Sequence, residues 1–391
     1  MRGEIRLDKG DLSPLPSPKF RERGVVGGSD RPLTVVSMAY PLLPIGCDTV
    51  GGSEQVLGTL DAALVDRGHR SIVIGCEGSK VAGNLIATPA CEEAPSPAAW
   101  DRAYELQWEI LQRVLAAEAV DVVHLHGMDA HTRLPNPGLP LLITLHLPPF
   151  NYPEGLFRSQ RPLTFFNCVS HFSRSLYPRD IPIPVIPNGV SLDRFRPGPA
   201  KEDFVLALGR ICPEKGFHLA LDAAKKAGLP MILGGKVPPF PEHERYFEEE
   251  IRPRLDDQRQ FRGVIPFAQR IDLLARARCL AVPSLVEESS SLVAIEALAC
   301  GTPVVAHPVG ALPENIAQGV TGLLVGGVEE MARAFRDVVN LDPRVCRLAA
   351  SERFSAEGMA QGYLDLYGQL SALHRTGKKE PVGSTGSRIS H

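Results

Sequence analysis

Residues 282–307 read VPSLVEESSSLVAIEALACGTPVVAH. An apolar run and a Pro-Ser pair lead to Glu287 and Glu288, and three serines follow. The pattern Leu292-Val293-Ala294-Ile295-Glu296-Ala297-Leu298-Ala299 then has the composition of a helix. Ser290 or Ser291 can cap its start; Gly301 with Pro303 stops it before a strand-like run from Val304. Glu296 thus falls about a turn inside the helix, and Glu288 just ahead of it. The first-turn N–H groups, around Ser291, Leu292 and Val293, lack partners within a helix and together with the macrodipole favour an anion. A carboxylate on each side of such a site suits a ligand with both phosphates and hydroxyls, because carboxylates accept hydrogen bonds from hydroxyls. A strand, a ligand loop, a helix and a further strand are the repeating unit of a doubly wound α/β fold.

The rest of the composition bounds the problem. At 391 residues the chain is too long for one ordinary domain, and two domains of ~150–200 residues are expected. Lys and Arg number 42 against 45 Asp and Glu, so the net charge of −3 gives no reason to expect a nucleic-acid partner. A hydrophobic content of 44% supports real cores, yet no apolar run reaches the ~18 residues that a membrane span needs. The N-terminal residues, MRGEIRLDKGDLSPLPSPKF, contain no apolar stretch of the secretion-signal kind. Eight scattered cysteines form no C-x-x-C pair and several sit in apolar runs, which reads as buried thiols in a reducing compartment. A cytoplasmic location follows as the expectation, with the inner membrane surface as a place that such a protein could touch.

Taken in order, residues 1–30 are charged, without period, and read as a disordered leader. A strand at 33–38, a turn-rich loop containing Gly51 and Gly52, a helix at 53–67 and a strand at 71–76 open a first doubly wound domain, set at 31–190. The glycine pair permits close backbone approach to a ligand, but it is neither G-x-G-x-x-G nor a Walker A loop. Further strands are read at 121–126, 141–146 and 164–170. Two of them end in His126 and His146, at the carboxyl edge where such sheets bind ligands. The segment IPNGVSLDRFRP at 186–197 has linker composition. A second domain, 191–356, opens with a strand at 204–209, then Arg210-Ile-Cys-Pro-Glu-Lys215-Gly216, then a helix at 217–227. Arg210 and Lys215 put two cations over the crevice, Arg suited to holding a phosphate bidentately and Lys as a point charge. A charged helix is read over 243–255, a strand and turn over 261–265, a helix at 267–277 and a helical tail from 328. Residues 376–391 are rich in Gly, Ser and Lys and read as a disordered tail.

These motifs resemble glycosyltransferase family four, retaining enzymes of the GT-B fold, over about residues 33–375. The resemblance rests on Glu288, seven residues, then Glu296-Ala-Leu-Ala-Cys-Gly-Thr-Pro-Val-Val-Ala. It also rests on GGSE at 51–54, PNGV at 187–190, the D-x-F-x-P that follows, and Gly209-Arg210 with Glu214-Lys215-Gly216. It implies two Rossmann-like domains facing across a cleft, and a helix at 357–375 crossing back to the first. By the same resemblance Arg210 and Lys215 clamp a diphosphate, Gly51 and Gly52 lie near it, and Glu296 holds the ribose. Glu288 then meets the hydroxyls of the sugar, His146 steadies that sugar, and Val264 lies in a turn that meets the base.

The implied activity is transfer of a sugar from a nucleoside diphosphate sugar, a UDP-sugar first among them, to an acceptor hydroxyl with retention. No D-x-D occurs in the chain, so no metal is expected, and no cofactor beyond the donor itself. The acceptor, whether glycan, lipid-linked or a small molecule, is left open. Where many members have Glu-Gly-Phe-Gly-Leu this chain has Glu288-Ser-Ser-Ser-Leu292, which leaves the donor sugar open too. Two other functions would use the same cleft: a nucleotide-sugar epimerase of the same fold, and a non-catalytic nucleotide-sugar-binding protein.

Overall fold

The computed structural model describes residues 31–49, 51–90, 96–127, 134–159 and 161–376. The expected leader at 1–30 and nearly all of the expected tail lie outside these residues; Thr376, counted with the tail, is still helical.

Two six-stranded parallel sheets organise the chain. The first comprises β1 (Thr34–Met38), β2 (Arg70–Cys76), β3 (Asn84–Thr88), β4 (Val122–Leu125), β5 (Leu141–Leu145) and β6 (Thr164–Cys168), in the order β3-β2-β1-β4-β5-β6. Helices α1 (Gly52–Asp66), α2 (Pro97–Ala117), α3 (Glu154–Phe157) and α4 (His171–Ser175) connect them. The second comprises β7 (Val205–Leu208), β8 (Met231–Gly234), β9 (Arg259–Phe261), β10 (Cys279–Val282), β11 (Val304–Ala306) and β12 (Gly322–Leu324), in the order β12-β11-β10-β7-β8-β9. Its helices are α5 (Phe217–Ala227), α6 (Pro241–Tyr246), α7 (Phe267–Arg276), α8 (Leu292–Ala299), α9 (Leu312–Asn315), α10 (Gly327–Asp337) and α11 (Pro343–Arg353), and the described chain ends in α12 (Ala356–Thr376). Strands buried on both faces need near-continuous apolar runs, and the inner strands supply them: LLITL, in which Thr144 is the one polar residue, VLAL and CLAV are buried throughout. The edge strand β3, with a half-exposed NLIAT pattern, carries no such run and is not anticipated from the sequence.

Strand order reverses direction once in each sheet, between β1 and β4 in the first and between β7 and β10 in the second. Loops leaving the two strands beside such a switch diverge to opposite faces and open a crevice at their carboxyl ends. The loops after β1, β4 and β5 carry Gly51 and Gly52, His126 and His146; those after β7 and β10 carry Arg210 and Lys215, and Glu288. Both sheets therefore direct their candidate residues to a crevice of this kind.

The helix expected over 243–255 is not continuous. Helix α6 ends at Tyr246, Phe247–Ile251 widens into a π-turn, and Arg252–Arg254 tightens into a 3-10 turn. Pro253 is the physical reason: it offers no N–H to the preceding turn and its ring crowds the carbonyl four residues back.

The chain passes between the sheets twice. Val190 and Ser355, one on each crossing, form a parallel bridge; Val190 N–H donates to the Phe354 carbonyl at 2.9 Å, and Ala356 N–H donates to the Val190 carbonyl at 3.0 Å. A Cβ on Gly189 would stand 2.4 Å from the Ser355 carbonyl oxygen, so the crossings touch backbone to backbone. Helix α12 then packs into the first half, where Met359, Ala360, Tyr363, Leu366, Tyr367 and Leu370 share one core with Leu33, Val56, Leu60, Val122 and Leu142.

Candidate active site

The helix after β10 is the one whose reading opened the sequence. Gly301 adopts φ +66°, where its N–H reaches the Leu298 carbonyl and Thr302 N–H the Ala297 carbonyl, so the expected glycine stop is in place. At the other end the expected side-chain cap is absent. Ser291 occupies the N-cap position, but its hydroxyl makes no capping bond. The first helical bond runs from Ile295 N–H to the Ser291 carbonyl, which leaves the N–H groups of Leu292, Val293 and Ala294 without partners in the helix. Ser289 is buried and its hydroxyl has no hydrogen-bond partner.

Lys215 closes a short 3-10 turn, Pro213–Lys215, ahead of α5. The turn is pressed against the loop leaving β10: a Cβ on Gly216 would lie 2.3 Å from the Pro283 carbonyl oxygen, and Leu285 N–H donates to the Glu214 carbonyl at 2.8 Å. This contact carries Lys215 to Glu288. Its ammonium donates to Glu288 Oε1 at 2.5 Å, and the Ser284 hydroxyl donates to the same oxygen at 2.5 Å. Lys215 and Glu288, expected from the family resemblance to meet a diphosphate and a sugar respectively, are thus an ion pair in this structure, with both side chains largely buried. Gly310, at φ +60°, underlies the pair, since a Cβ there would sit 2.3 Å from Glu288 N and 2.4 Å from Glu288 O. Arg210 is exposed on the turn after β7, and Val264, 56% exposed, stands on the turn between β9 and α7.

Glu296 is buried in the interior of α8, with 2% of its surface exposed. Burial pushes its carboxyl above the usual range, against the opposing influence of Arg270 and of the Gln55 amide. Gln55 Nε2 donates to Glu296 Oε1 at 2.5 Å from the opposite sheet, and Arg270 Nη2 lies 3.5 Å from the same oxygen. Arg270 also rests over the Phe267 ring, and its Nε and Nη2 lack hydrogen-bond partners although buried. Gly51 and Gly52 begin α1 directly opposite: a Cβ on Gly52 would lie 3.8 Å from Leu292 Cδ1. A Cβ on Gly51 would lie 2.0 Å from Glu54 Oε2, so the glycine makes room for that buried carboxyl, which burial raises above its ordinary value.

His146 follows β5 directly and is packed against His126, whose Nδ1 is 3.0 Å from His146 Nε2. Burial pushes the His146 imidazole down to about 4, and it pushes His126 and His124 well below the usual range. All three rings are therefore neutral at pH 7. Gln55, Arg270 and His124 were not singled out in the sequence. His124 had a readable signal, because it lies two residues before His126 and so on the same side of the strand. For Gln55 and Arg270 no local pattern could serve, since they meet Glu296 only through the fold.

The geometry defines a class. Two doubly wound domains face across a cleft, with cations and an open helix start at one switch point and glycines and histidines at the other, which is the GT-B arrangement. Solved structures agree. The fold matches AviGT4, a glycosyltransferase involved in avilamycin A biosynthesis, with a TM-score of 0.67 and 25% identity over 87% of this chain and 98% of that one. It also matches sucrose-phosphate synthase from Thermosynechococcus elongatus, with a TM-score of 0.70 and 21% identity over 87% of this chain and 99% of that one. Residues 50–194 match the family model described as Glycosyltransferase Family 4, and residues 202–340 the model described as Glycosyl transferases group 1. The chain belongs to this family of glycosyltransferases.

Among curated relatives, the D-inositol 3-phosphate glycosyltransferase of Mycolicibacterium smegmatis is 35% identical over 199 residues, 46% of this chain and 44% of that protein. The protein of that name from Rhodococcus erythropolis is 33% identical over 227 residues, 50% of each. The chain thus spans half the length, or less, of the curated relatives that it matches. Among the described residues no helix is long and apolar enough to cross a membrane.

Proposed function

We propose that this chain transfers a sugar, with retention, from a nucleoside diphosphate sugar to an acceptor hydroxyl, and that it does so without a metal. The observation that carries the reading is the junction of Lys215, Glu288 and the open start of α8 at one switch point. In the reaction the bond from the anomeric carbon to the diphosphate breaks, a bond to the acceptor oxygen forms, and the acceptor hydroxyl proton leaves with the diphosphate. Negative charge grows on the departing phosphate. Arg210, Lys215 and the N–H groups of Leu292, Val293 and Ala294 are the fixed positive groups of the cleft, and stabilisation of developing charge is often the largest single contribution to catalysis. Glu296 would take the ribose hydroxyls, Glu288 the sugar hydroxyls, and His146 a further sugar hydroxyl. Val264 would contribute its backbone beside the base.

A UDP-sugar is the first donor to try. The curated relatives carry an inositol phosphate in their name, which makes a phosphorylated cyclitol a sensible member of an acceptor panel. The test incubates the protein with UDP-, GDP- and ADP-sugars, with and without acceptors, and follows free nucleoside diphosphate with EDTA present. Release that needs both donor and acceptor and survives EDTA supports the proposal. Restoration of a chelated enzyme by magnesium or manganese would overturn metal independence, and turnover of donor to an isomeric sugar nucleotide would overturn transfer.

A further inference from the structure

Glu296 already has a partner, and the partner comes from the other half of the molecule. Glu296 lies on α8 in the second half, whereas Gln55, which donates from Nε2 to Glu296 Oε1 at 2.5 Å, lies on α1 in the first. With Glu296 2% exposed and Gln55 7%, the carboxyl keeps no open face for a ligand. The helices meet closely around this bond. A Cβ on Gly52 would lie 3.8 Å from Leu292 Cδ1, and Leu292 packs on the first-half core that contains Val56 and Leu60.

Beside the bond there is a mismatch. Arg270, on α7, brings Nη2 to 3.5 Å from the same Glu296 oxygen, longer than an ordinary hydrogen bond. Neither its Nε nor its Nη2 has a hydrogen-bond partner, although both atoms are buried. The Phe267 ring holds the guanidinium in this position, with 5.0 Å from its carbon to the ring centroid. A buried donor left unpaired carries its full desolvation cost, so a polar group belongs here. Gln55 answers the carboxylate and leaves the guanidinium unanswered. A sugar hydroxyl can answer either, because it gives one proton and also offers lone pairs. The vicinal diol of a ribose presents two such groups side by side. Helix α7, which carries Arg270, begins three residues beyond Val264, on the turn where the base is expected.

We propose that Gln55 stands in for the ribose of the donor: its amide holds Glu296 until the nucleotide arrives, then gives way to the ribose diol, whose hydroxyls donate to Glu296 and accept from Arg270. This rests on the assignment of Glu296 to the ribose made above. The first half and the nucleotide therefore compete for one carboxylate, and α1 must draw back from α8 before the donor can enter. Arg270 becomes a specificity-determining residue, since a deoxyribose would leave the carboxylate or the guanidinium buried without a partner.

Calorimetry on the full chain tests this. UDP, GDP and ADP are titrated first, and the nucleotide that binds is then compared with its 2′-deoxy and 3′-deoxy forms. Gln55→Ala and Gln55→Met both remove the competing N–H, and the second keeps most of the side-chain volume. Each should bind the nucleotide roughly tenfold tighter than the native chain, because a bond that holds the site in an incompetent form lowers the apparent affinity. Arg270→Met should bind it more weakly, with a smaller preference for the ribose over the deoxy forms. Arg270→Lys, which keeps the charge but not the planar fork, should fall between. Unchanged or weaker binding in both Gln55 variants would overturn the proposal, as would a native-sized preference for ribose in both Arg270 variants. A native chain that binds no nucleoside diphosphate, or Glu296→Ala binding as tightly as the native chain, would bring down the ribose assignment itself, and this inference with it.

Discussion

At the scale of single residues the two glutamates part company. Glu296 is buried beside Gln55 and Arg270, while Glu288 is paired to Lys215. Glu296→Ala should weaken bare UDP, because a hydrogen bond to a charged group is worth ~1.5–3 kcal/mol, roughly tenfold to a hundredfold in binding. Glu288→Ala should act differently. It releases Lys215 for the diphosphate, so bare UDP should bind as well as before or tighter while the intact donor is no longer turned over. Calorimetry with UDP on both variants, beside an assay of transfer, checks this, and equal loss of UDP affinity in both would sink the division of roles. Burial that raises the Glu296 pKa also has a cost in stability with a definite sign. A carboxyl held above its unfolded value contributes stability below that value, and the contribution is lost as pH rises through the folded one. Glu296→Gln should therefore melt higher than the native chain at pH 8, with the gap closing toward pH 4. A gap that widens on acidification would contradict the assignment.

At the scale of elements, the β10–α8 junction proposed as the donor site is shaped by the close packing of loop on loop. Gly310 is the clearest instance. Gly310→Ala must tolerate a left-handed backbone and also push its Cβ into the Glu288 peptide. Gly319, at φ +72° with nothing near its Cβ position, is the matched control. Gly319→Ala should cost ~1 kcal/mol for the backbone alone, whereas Gly310→Ala should fall at or beyond the upper end of ~1–3 kcal/mol and depress donor affinity. Chemical denaturation of the two variants decides it, and equal costs would show that the Glu288 loop yields freely. This packing also explains what could be read from the sequence. Buried parallel strands announce themselves because both faces demand apolar residues, so β5, β7 and β10 are plain in the sequence and the half-exposed β3 is not. Helix α8 was legible from its glycine stop, but its start was misread: three adjacent serines suggest a cap, and the fold leaves Ser291 without a capping bond. Glu288, Glu296, Arg210 and Lys215 stand out through the family motifs in which they sit, since their spacing alone would mark none of them. That Lys215 pairs with Glu288, and Gln55 with Glu296, depends on loops that meet only after folding.

At the scale of the molecule, the two halves touch at the site and away from it. The Glu314 carboxylate, at α9 in the second half, accepts from the N–H groups of His171 and Phe172 at the start of α4 in the first, the former at 2.9 Å. Glu314→Ala removes this clasp, so the ligand-free protein should expand in solution scattering and saturating donor should restore the native radius. An identical radius in both proteins would assign closure to other contacts. Any closing of the two halves on donor would turn about the double crossing at Val190 and Ser355, where the two connecting segments are bonded side by side. The placement of α12 has a further consequence, in the order of synthesis. The core beneath β1, β4 and β5 lacks Tyr363, Leu366, Tyr367 and Leu370 until residues 356–376 have been made. A growing chain can complete the second sheet while the first, though translated earlier, still exposes the apolar floor and unpaired His124 that α12 will cover. The half that leaves the ribosome first is the half that closes last.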